Sequence, residues 1–183
     1  MAKMCGNGAD FALVKQDRSR TIVGYEKKKV TGKNLYEWFE VYFNRKTIDL
    51  PSIGQVKNAM MDDIDRQTNE KILKECPWTV LHGDDAGKQV TLWLNDENQR
   101  NYSEGQRVAQ MTNGANLPMK VKVSENEDKT AVYDIFETVE EITQFYLAGV
   151  NFIKTTLAEG WVRKDAIDWA PYEAALEELK PKE

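Results

Sequence analysis

The N-terminal part of the chain alternates between short β-prone runs and one aromatic stripe. Residues 11–15 and 21–25 are short β-prone runs, and the polar segment between them resembles a turn, so a small β-hairpin is predicted. Further along, apolar side chains recur at i, i+3, i+4, i+7 and i+8, which is the spacing of one helical face. The members of this stripe are Leu35, Trp38, Phe39, Tyr42 and Phe43. The pattern predicts an amphipathic helix with Thr31 as its N-terminal cap.

A proline interrupts this pattern and marks the predicted domain boundary. Leu50 precedes Pro51, and a residue before proline is disfavoured in helical geometry. Ser52 then caps a second predicted helix. Its apolar stripe consists of Ile53, Val56, Met60 and Ile64, and its expected solvent face of Asp62, Asp63, Asp65 and Arg66. We therefore predict an N-terminal module over residues 1–51 and a main domain over residues 52–183.

The main domain alternates strand and helix patterns. Two β-prone runs, residues 78–82 and 90–94, flank the turn sequence GDDAGK and predict a hairpin. Residues 117–123 and 131–136 predict a second hairpin, because they alternate apolar and polar positions around a polar turn. Between the two hairpins, Asn95 is the expected cap of a helix.

The strongest helix pattern follows the second hairpin. Thr138 and Glu141 have the spacing of a capping box, and Gly160 is expected to end the helix. The apolar stripe consists of Val139, Ile142, Tyr146, Val150, Ile153, Leu157 and Trp161. Beyond it, residues 165–183 predict a short helical or irregular tail. The whole pattern predicts an α+β fold, in which a small antiparallel sheet made of hairpins packs against amphipathic helices, with an N-terminal hairpin-helix extension.

Composition and charge narrow the classes of function. Hydrophobic residues make up 41% and charged residues 30% of the 183 positions, which is enough for a packed core. The net charge is -5 with acids and bases interleaved, so no basic face for nucleic acid is expected. The uncharged stretches are too short and too polar to span a bilayer. Cys5 and Cys76 match no metal-ligand or redox spacing. We expect a protein that binds no cofactor, no membrane and no nucleic acid.

The candidate catalytic residues are few. His82, the single histidine, lies in the first predicted hairpin of the main domain. A serine or cysteine nucleophile normally needs a nearby base, most often histidine. Asp84 and Asp85 follow closely, but a turn of this kind does not orient them as a catalytic relay. With Cys76, His82 supplies only two of the four ligands of a structural zinc site. We therefore expect a non-catalytic protein in which His82 is a loop side chain.

Several segments of the main domain, taken in order, resemble an uncharacterised domain family. They are TNEKIL (68–73), LWLNDENQRNY (92–102), GANLP (114–118), VYDIFET (132–138), QFY (144–146) and TLAEGWVRKDAIDW (156–169). The resemblance covers about residues 52–172 and leaves the N-terminal module outside. The family that the chain resembles is a domain of unknown function found in phages and prophages, particularly of Bacteroides-type hosts, often beside genes for fibres and other virion parts. It offers no established catalytic residues to carry over.

The resemblance implies a phage context and favours a non-catalytic virion structural protein. Such a protein would be a head- or tail-fibre-associated or adaptor component, made in the bacterial host cytoplasm, that forms homo-oligomers and binds other virion proteins. Residues 1–51 are the expected attachment or oligomerisation module, and the stripe from Leu35 to Phe43 belongs either to its own core or to an interface. Two alternatives stay open: a fibre-assembly chaperone, and a small enzyme or host-directed inhibitor whose site, at His82 or at acidic residues, has no recognisable pattern.

Overall fold

The computed structural model describes residues 2–181 and confirms the α+β class. In chain order the elements are β1 (Ala2–Gly6), β2 (Val14–Gln16), β3 (Arg20–Lys29), β4 (Tyr36–Asn44), α1 (Ile53–Lys74), β5 (Cys76–Thr79), β6 (Gln89–Leu92), α2 (Asp96–Met111), β7 (Met119–Glu125), β8 (Ala131–Phe136), α3 (Val139–Asp165) and α4 (Ala170–Glu178). The strands form an antiparallel four-stranded sheet in the order β1-β4-β3-β2 and two separate hairpins, β5-β6 and β7-β8.

The chain divides into two compact units. The first unit joins the residues up to Arg66 with those from Arg163 onward, and the second contains Gln67–Val162. The predicted boundary after residue 51 does not coincide with this division, because the first part of α1 packs on the N-terminal sheet. The hairpin predicted from residues 11–15 and 21–25 is confirmed as β2 and β3, with Val14 opposite Val23.

Helices cover one face of the four-stranded sheet in the first unit. Val23 and Val41 are opposite each other in β3 and β4, as are Tyr25 and Phe39, so the four side chains share a face. The buried core that forms on this face consists of Val23, Tyr25, Val41, Val56, Met60, Ile64, Tyr172 and Leu176. The predicted stripe of α1 is thus confirmed at its buried positions, and Ser52 caps α1 by accepting a hydrogen bond from Gln55 N (3.3 Å).

The predicted helix over residues 35–43 is wrong, because this segment forms strand β4. The strand pairs with β1 on one side and β3 on the other and is therefore central in the sheet. A strand that is buried on both faces has a nearly continuous run of apolar residues. Such a run also contains apolar residues at helical spacing, by chance. Its aromatic and β-branched side chains favour the extended conformation. Thr31 lies in the turn that precedes β4 and caps no helix.

The chain itself covers the second face of this sheet. The ring of Phe11 packs edge-on against Trp38, with centroids 6.0 Å apart. Gly24 allows this close approach, because a Cβ at that position would lie 2.6 Å from the backbone oxygen of Ala12. Trp38 and Glu40 are both buried on this face, so β4 contributes side chains to two packed layers.

The second unit follows the sequence prediction closely. Both predicted hairpins are confirmed, and Asn95 caps α2 by accepting a hydrogen bond from Asn98 N (2.8 Å). The predicted capping box is also confirmed: Glu141 N donates to Thr138 Oγ1 (3.2 Å), and Thr138 N donates to Glu141 Oε2 (3.1 Å). The buried core of this unit consists of Ile72, Cys76, Val80, Leu92, Leu94, Tyr102, Ala109, Val123, Val132, Phe136, Ile142 and Phe145.

Two predictions about α3 are wrong. Gly160 does not end the helix, which continues to Asp165. A Cβ at Gly160 would lie 2.6 Å from Thr68 Oγ1, so the glycine instead allows α3 to pack closely against the part of α1 in the second unit. Trp161 is 60% exposed rather than buried, since the side chains of α3 that pack on the core extend only to Leu157.

One acidic residue expected in water is buried. Asp63 of α1 lies inside the first unit, where Tyr25 Oη donates a hydrogen bond to one carboxylate oxygen. Arg66, one turn further along the helix, pairs with the other oxygen. The apolar stripe therefore includes one charged position, and the tyrosine and arginine supply the polar contacts that a buried carboxylate requires.

Candidate functional site

A buried carboxylate holds the loop that follows β5. Asp134 lies in β8 and is fully buried. It accepts hydrogen bonds from Trp78 Nε1 (2.8 Å) and from the backbone N–H groups of Leu81 (3.0 Å), His82 (3.0 Å) and Ile135 (2.9 Å). Convergent N–H donors stabilise a carboxylate that is removed from water. Asp134 therefore fixes the start of the β5–β6 loop, residues 80–88, against the second hairpin.

His82 connects the same loop to α3. Its Nε2 lies 3.0 Å from Glu141 Oε1. The second oxygen of Glu141 accepts hydrogen bonds from the backbone N–H groups of Glu137 (2.7 Å) and Thr138 (3.1 Å) at the start of the helix. One carboxylate thus serves the helix cap and the histidine together. The structure confirms that His82 lies in a hairpin loop, the one between β5 and β6.

The electrostatics of this pair favour its charged form. The hydrogen bond to Glu141 raises the pKa of His82 above its ordinary value of 6.5, the negative charges of Glu141, Glu137 and Asp134 add to the effect, and burial opposes it. The same hydrogen bond lowers the pKa of Glu141 below 4.5, and its bonds to backbone N–H groups add to that effect. The imidazolium and the carboxylate stabilise each other, so protonation of His82 strengthens the attachment of the loop to α3.

We expect the contribution of His82 to stability to depend on pH. Because the folded protein raises the pKa of His82, this contribution is fully present below pH 6.5 and is lost as the pH rises through the folded-state pKa. His82→Gln should therefore lower the urea midpoint more at about pH 5.5 than at about pH 9. An NMR titration of the wild-type imidazole should give a pKa above 6.5. Glu141→Gln should move that pKa downwards, and an unshifted wild-type imidazole would contradict the assignment.

The sequence contained one signal for Asp134. Along β8 the buried positions are Val132, Asp134 and Phe136, which alternate as strand geometry requires. A carboxylate on the inward side of such a strand must find buried donors. Three of its four donors, however, belong to residues more than fifty positions away, and the sequence pattern does not reveal them.

The predicted interaction residues lie in the first unit and contribute largely to its interior. Trp38 is buried, and its Nε1 donates to Glu40 Oε1 (2.9 Å), while Tyr42 Oη donates to Glu40 Oε2 (2.8 Å). Burial, followed by the hydrogen bond to Glu40, raises the pKa of Tyr42. Phe39 and Phe43 pack against the core of the unit, and Leu35 is exposed. A role of these five residues in an interface stays a prediction.

Cys76 is a core side chain. It is buried, and burial raises the pKa of its thiol to about 11, so the thiolate that would act as a nucleophile or ligand is disfavoured. Within residues 2–181, no three histidine, cysteine, aspartate or glutamate side chains are arranged to hold a metal ion. No helix in this part of the chain is long and apolar enough to cross a bilayer.

Large exposed aromatic side chains mark two other places in the second unit. Trp93, directly after β6, is 61% exposed, and Trp161 on α3 is 60% exposed. Val162, the neighbour of Trp161, is 67% exposed. Exposed tryptophans supply large contact areas in protein interfaces, so these positions are the candidate contact points of the unit. Comparisons with family models, curated proteins and solved structures return no match for this chain.

Proposed function

We propose that the chain is a non-catalytic phage virion protein, a head- or tail-fibre-associated or adaptor component that assembles with copies of itself and with other virion proteins. The observation that carries the proposal is the exposed pair Trp161 and Val162 on α3. Burying exposed apolar side chains against a partner removes apolar surface from water, and tryptophan is enriched among the residues that dominate binding energy in interfaces. The resemblance to a phage domain family supports the virion context.

The loop at Asp134 and His82 supports a structural rather than a chemical role for the titratable groups. Asp134 accepts hydrogen bonds from four donors, and His82 bonds the carboxylate that caps α3. Each group already has a function in holding the fold. A catalytic acid or base must instead reach a proton on a substrate.

The location of the protein is tested on purified particles. The phage that encodes this chain is grown, its virions are purified by density gradient, and the particles and the cleared lysate are analysed by mass spectrometry. We expect the chain in the particles at a constant ratio to the major virion proteins. A chain that is abundant in the lysate and missing from the particles would contradict the proposal and favour a fibre-assembly chaperone.

The contact surface is tested by substitution at Trp161. Light scattering of the purified protein is expected to show a homo-oligomer, and Trp161→Ser should weaken its self-association by roughly 30-fold, as loss of an interface hot spot does. Met111→Ser is the control, since it removes another largely exposed apolar side chain of the same unit at a position that is not a candidate contact point. A monomeric wild-type protein, or equal masses for wild type and Trp161→Ser at all concentrations, would contradict the assignment.

A further inference from the structure

Two adjoining cavities lie in the second unit. The larger, of about 460 Å³, is lined by the end of α1, by β6 and the residue that follows it, by the first half of α2 and by β7. The smaller, of about 290 Å³, is lined by α2, β7 and α3. Asn98, Tyr102 and Lys122 line both, so the two parts meet at these side chains and form one double cavity. The larger part alone lies in the range of clefts that bind small ligands, about 300–1,000 Å³.

A buried tyrosine hydroxyl lies where the two parts meet. Tyr102 is 8% exposed, and its ring packs on Phe145 with centroids 4.7 Å apart. Within residues 2–181, no group forms a hydrogen bond with its hydroxyl. The fully enclosed side-chain polar atom without a partner in this part of the chain is Thr143 Oγ1, so the Tyr102 hydroxyl opens into the cavity that its residue lines. Burial raises the pKa of Tyr102 to about 12, so the hydroxyl stays protonated and can donate a hydrogen bond.

A bulge in β7 shapes the wall of the larger part. The pairing of β7 with β8 shifts its register between Lys122 and Ser124. Successive side chains of a regular strand point to opposite faces, yet four consecutive residues of β7, from Lys122 to Glu125, line this wall. Bulges redirect side chains and are frequent beside active sites. The irregular backbone of β7 therefore belongs to the geometry of the cavity.

The polar groups of the lining can both donate and accept hydrogen bonds. The hydroxyls of Thr91 and Ser124 line the larger part together with the amide of Asn98. Asn98 Nδ2 donates to Trp93 O (2.8 Å), which leaves the Oδ1 atom of this amide as an acceptor. Hydroxyl groups act as donors and as acceptors. Such a lining fits a ligand that itself has several hydroxyl groups.

The charges of the lining largely cancel. Lys122 forms an ion pair with Glu125. Lys74 lies in the last turn of α1, where the carbonyl end of the helix dipole attracts a cation. The lining therefore favours an uncharged ligand, which is bound by hydrogen bonds and packing.

Trp93 adds a flat apolar surface to the larger part. Its side chain is 61% exposed, and the hydrogen bond from Asn98 to its backbone oxygen holds the residue at the start of α2. The indole ring presents a broad apolar face. A sugar ring also has an apolar face, made of its C–H groups, and a rim of hydroxyl groups. An exposed indole beside hydroxyl and amide groups matches both features.

We propose that the double cavity binds an uncharged saccharide, with one sugar ring stacked on Trp93 and a sugar hydroxyl hydrogen-bonded to the hydroxyl of Tyr102. Thr91, Ser124 and the amide oxygen of Asn98 bind further hydroxyl groups of the same ligand. The ligand supplies the partner that Tyr102 lacks, since a hydroxyl that is removed from water costs free energy until it is hydrogen-bonded. The inference is independent of the virion proposal, because it rests on the lining of the cavity alone.

The first test uses the full wild-type chain with glucose, galactose, mannose or N-acetylglucosamine, each added alone. Saturation-transfer NMR should show transfer from the protein to the ring C–H protons of at least one of these sugars. For the same sugar, spectra of the ¹⁵N-labelled protein should show shifts of the Trp93 indole N–H and of the backbone amides of Asn98 and Ser124. Adenosine is the comparison ligand, because its base is flat and can also stack on an indole.

Substitutions then separate the hydroxyl from the ring. Tyr102→Phe removes the hydroxyl and retains the ring on Phe145, so it should weaken sugar binding about fivefold, the effect of one lost hydrogen bond. Trp93→Ala should weaken binding by roughly tenfold or more. Met111→Ala is the control, since it removes an exposed apolar side chain at the other end of α2 and should bind like wild type.

A stability measurement distinguishes a binding role of the hydroxyl from a structural one. Because the Tyr102 hydroxyl has no hydrogen-bond partner within residues 2–181, Tyr102→Phe should unfold at the same urea concentration as the wild type or at a higher one. A variant that is less stable and binds the sugar as tightly as the wild type would overturn the proposal.

Three further outcomes would also overturn it. They are the absence of saturation transfer to every sugar, shifts confined to residues outside the double cavity, and tighter binding of adenosine than of any sugar with loss in Trp93→Ala. None of these outcomes changes the particle and light-scattering tests of the virion proposal, so the two proposals fail separately.

Discussion

Asp134→Ala is expected to lower the free energy of unfolding by about 3–5 kcal/mol. The substitution leaves Trp78 Nε1 and the backbone N–H groups of Leu81, His82 and Ile135 without their common acceptor. A buried donor that loses its partner costs about 1–3 kcal/mol. The four donors here are part-buried, so water reaches some of them once the loop relaxes, and their costs do not add in full. Urea unfolding followed by circular dichroism and by tryptophan fluorescence measures the loss and tests whether the two signals coincide.

A control variant lies in the turn of the same hairpin. Glu127 is exposed, so Glu127→Ala should change the free energy of unfolding by no more than about 0.5 kcal/mol. Asp134→Asn should be intermediate, since it retains one oxygen acceptor but brings two further N–H donors among the existing ones. If Asp134→Ala unfolds at the same urea concentration as Glu127→Ala, the carboxylate does not hold the β5–β6 loop.

Local interactions made the second unit predictable from its sequence. The cap at Asn95 and the capping box at Thr138 and Glu141 involve groups three positions apart, so the residue types at those positions are sufficient evidence. The two hairpins have turn residues between alternating runs. In each of these places the structure depends on neighbours in the chain, and the predictions are confirmed.

The predictions that failed depend on distant partners. The spacing of apolar residues in β4 fits both a helix and a strand that is buried on both faces. The pairing of this segment with β1 and β3 makes it a strand. A glycine near the end of a helical pattern is typical of a helix stop. Gly160 instead lies inside α3, where its missing side chain leaves room for Thr68 of α1. The role of Asp134 in the candidate site likewise depends on donors from the first hairpin, so only its inward position could be predicted.

The packing of the first unit changes how its assembly role can be tested. The N-terminal sheet supplies Val23, Tyr25 and Val41 to the same core as Met60 and Ile64 of α1. Deleting residues 1–50 would therefore uncover the apolar face of α1, and any change of mass would report misfolding as well as lost contacts. Exposed single positions, such as Trp161, give a clearer test because their replacement leaves the core intact.

Phe145→Ala is expected to be as damaging as the loss of Asp134, for a different reason. Phe145 is fully buried at the centre of an aromatic cluster, with ring centroids 4.7 Å from Tyr102, 4.8 Å from Phe136 and 5.0 Å from Trp78. Truncation removes buried apolar surface and leaves a cavity that these three rings cannot fill, which costs about 3–5 kcal/mol. Differential scanning calorimetry and urea unfolding should both show the loss.

Two variants on the same helix separate this cavity effect from any general weakening of α3. Phe145→Leu retains most of the volume and should cost less than Phe145→Ala. Leu147→Ala, two residues further along at a position that is 44% exposed, truncates an apolar side chain outside the core and should change the free energy of unfolding by only about 0.5 kcal/mol. Equal losses of stability for Phe145→Ala and Leu147→Ala would mean that the aromatic cluster is not the centre of this unit's core. They would also contradict the inference that this cluster attaches β5, β8 and α2 to α3.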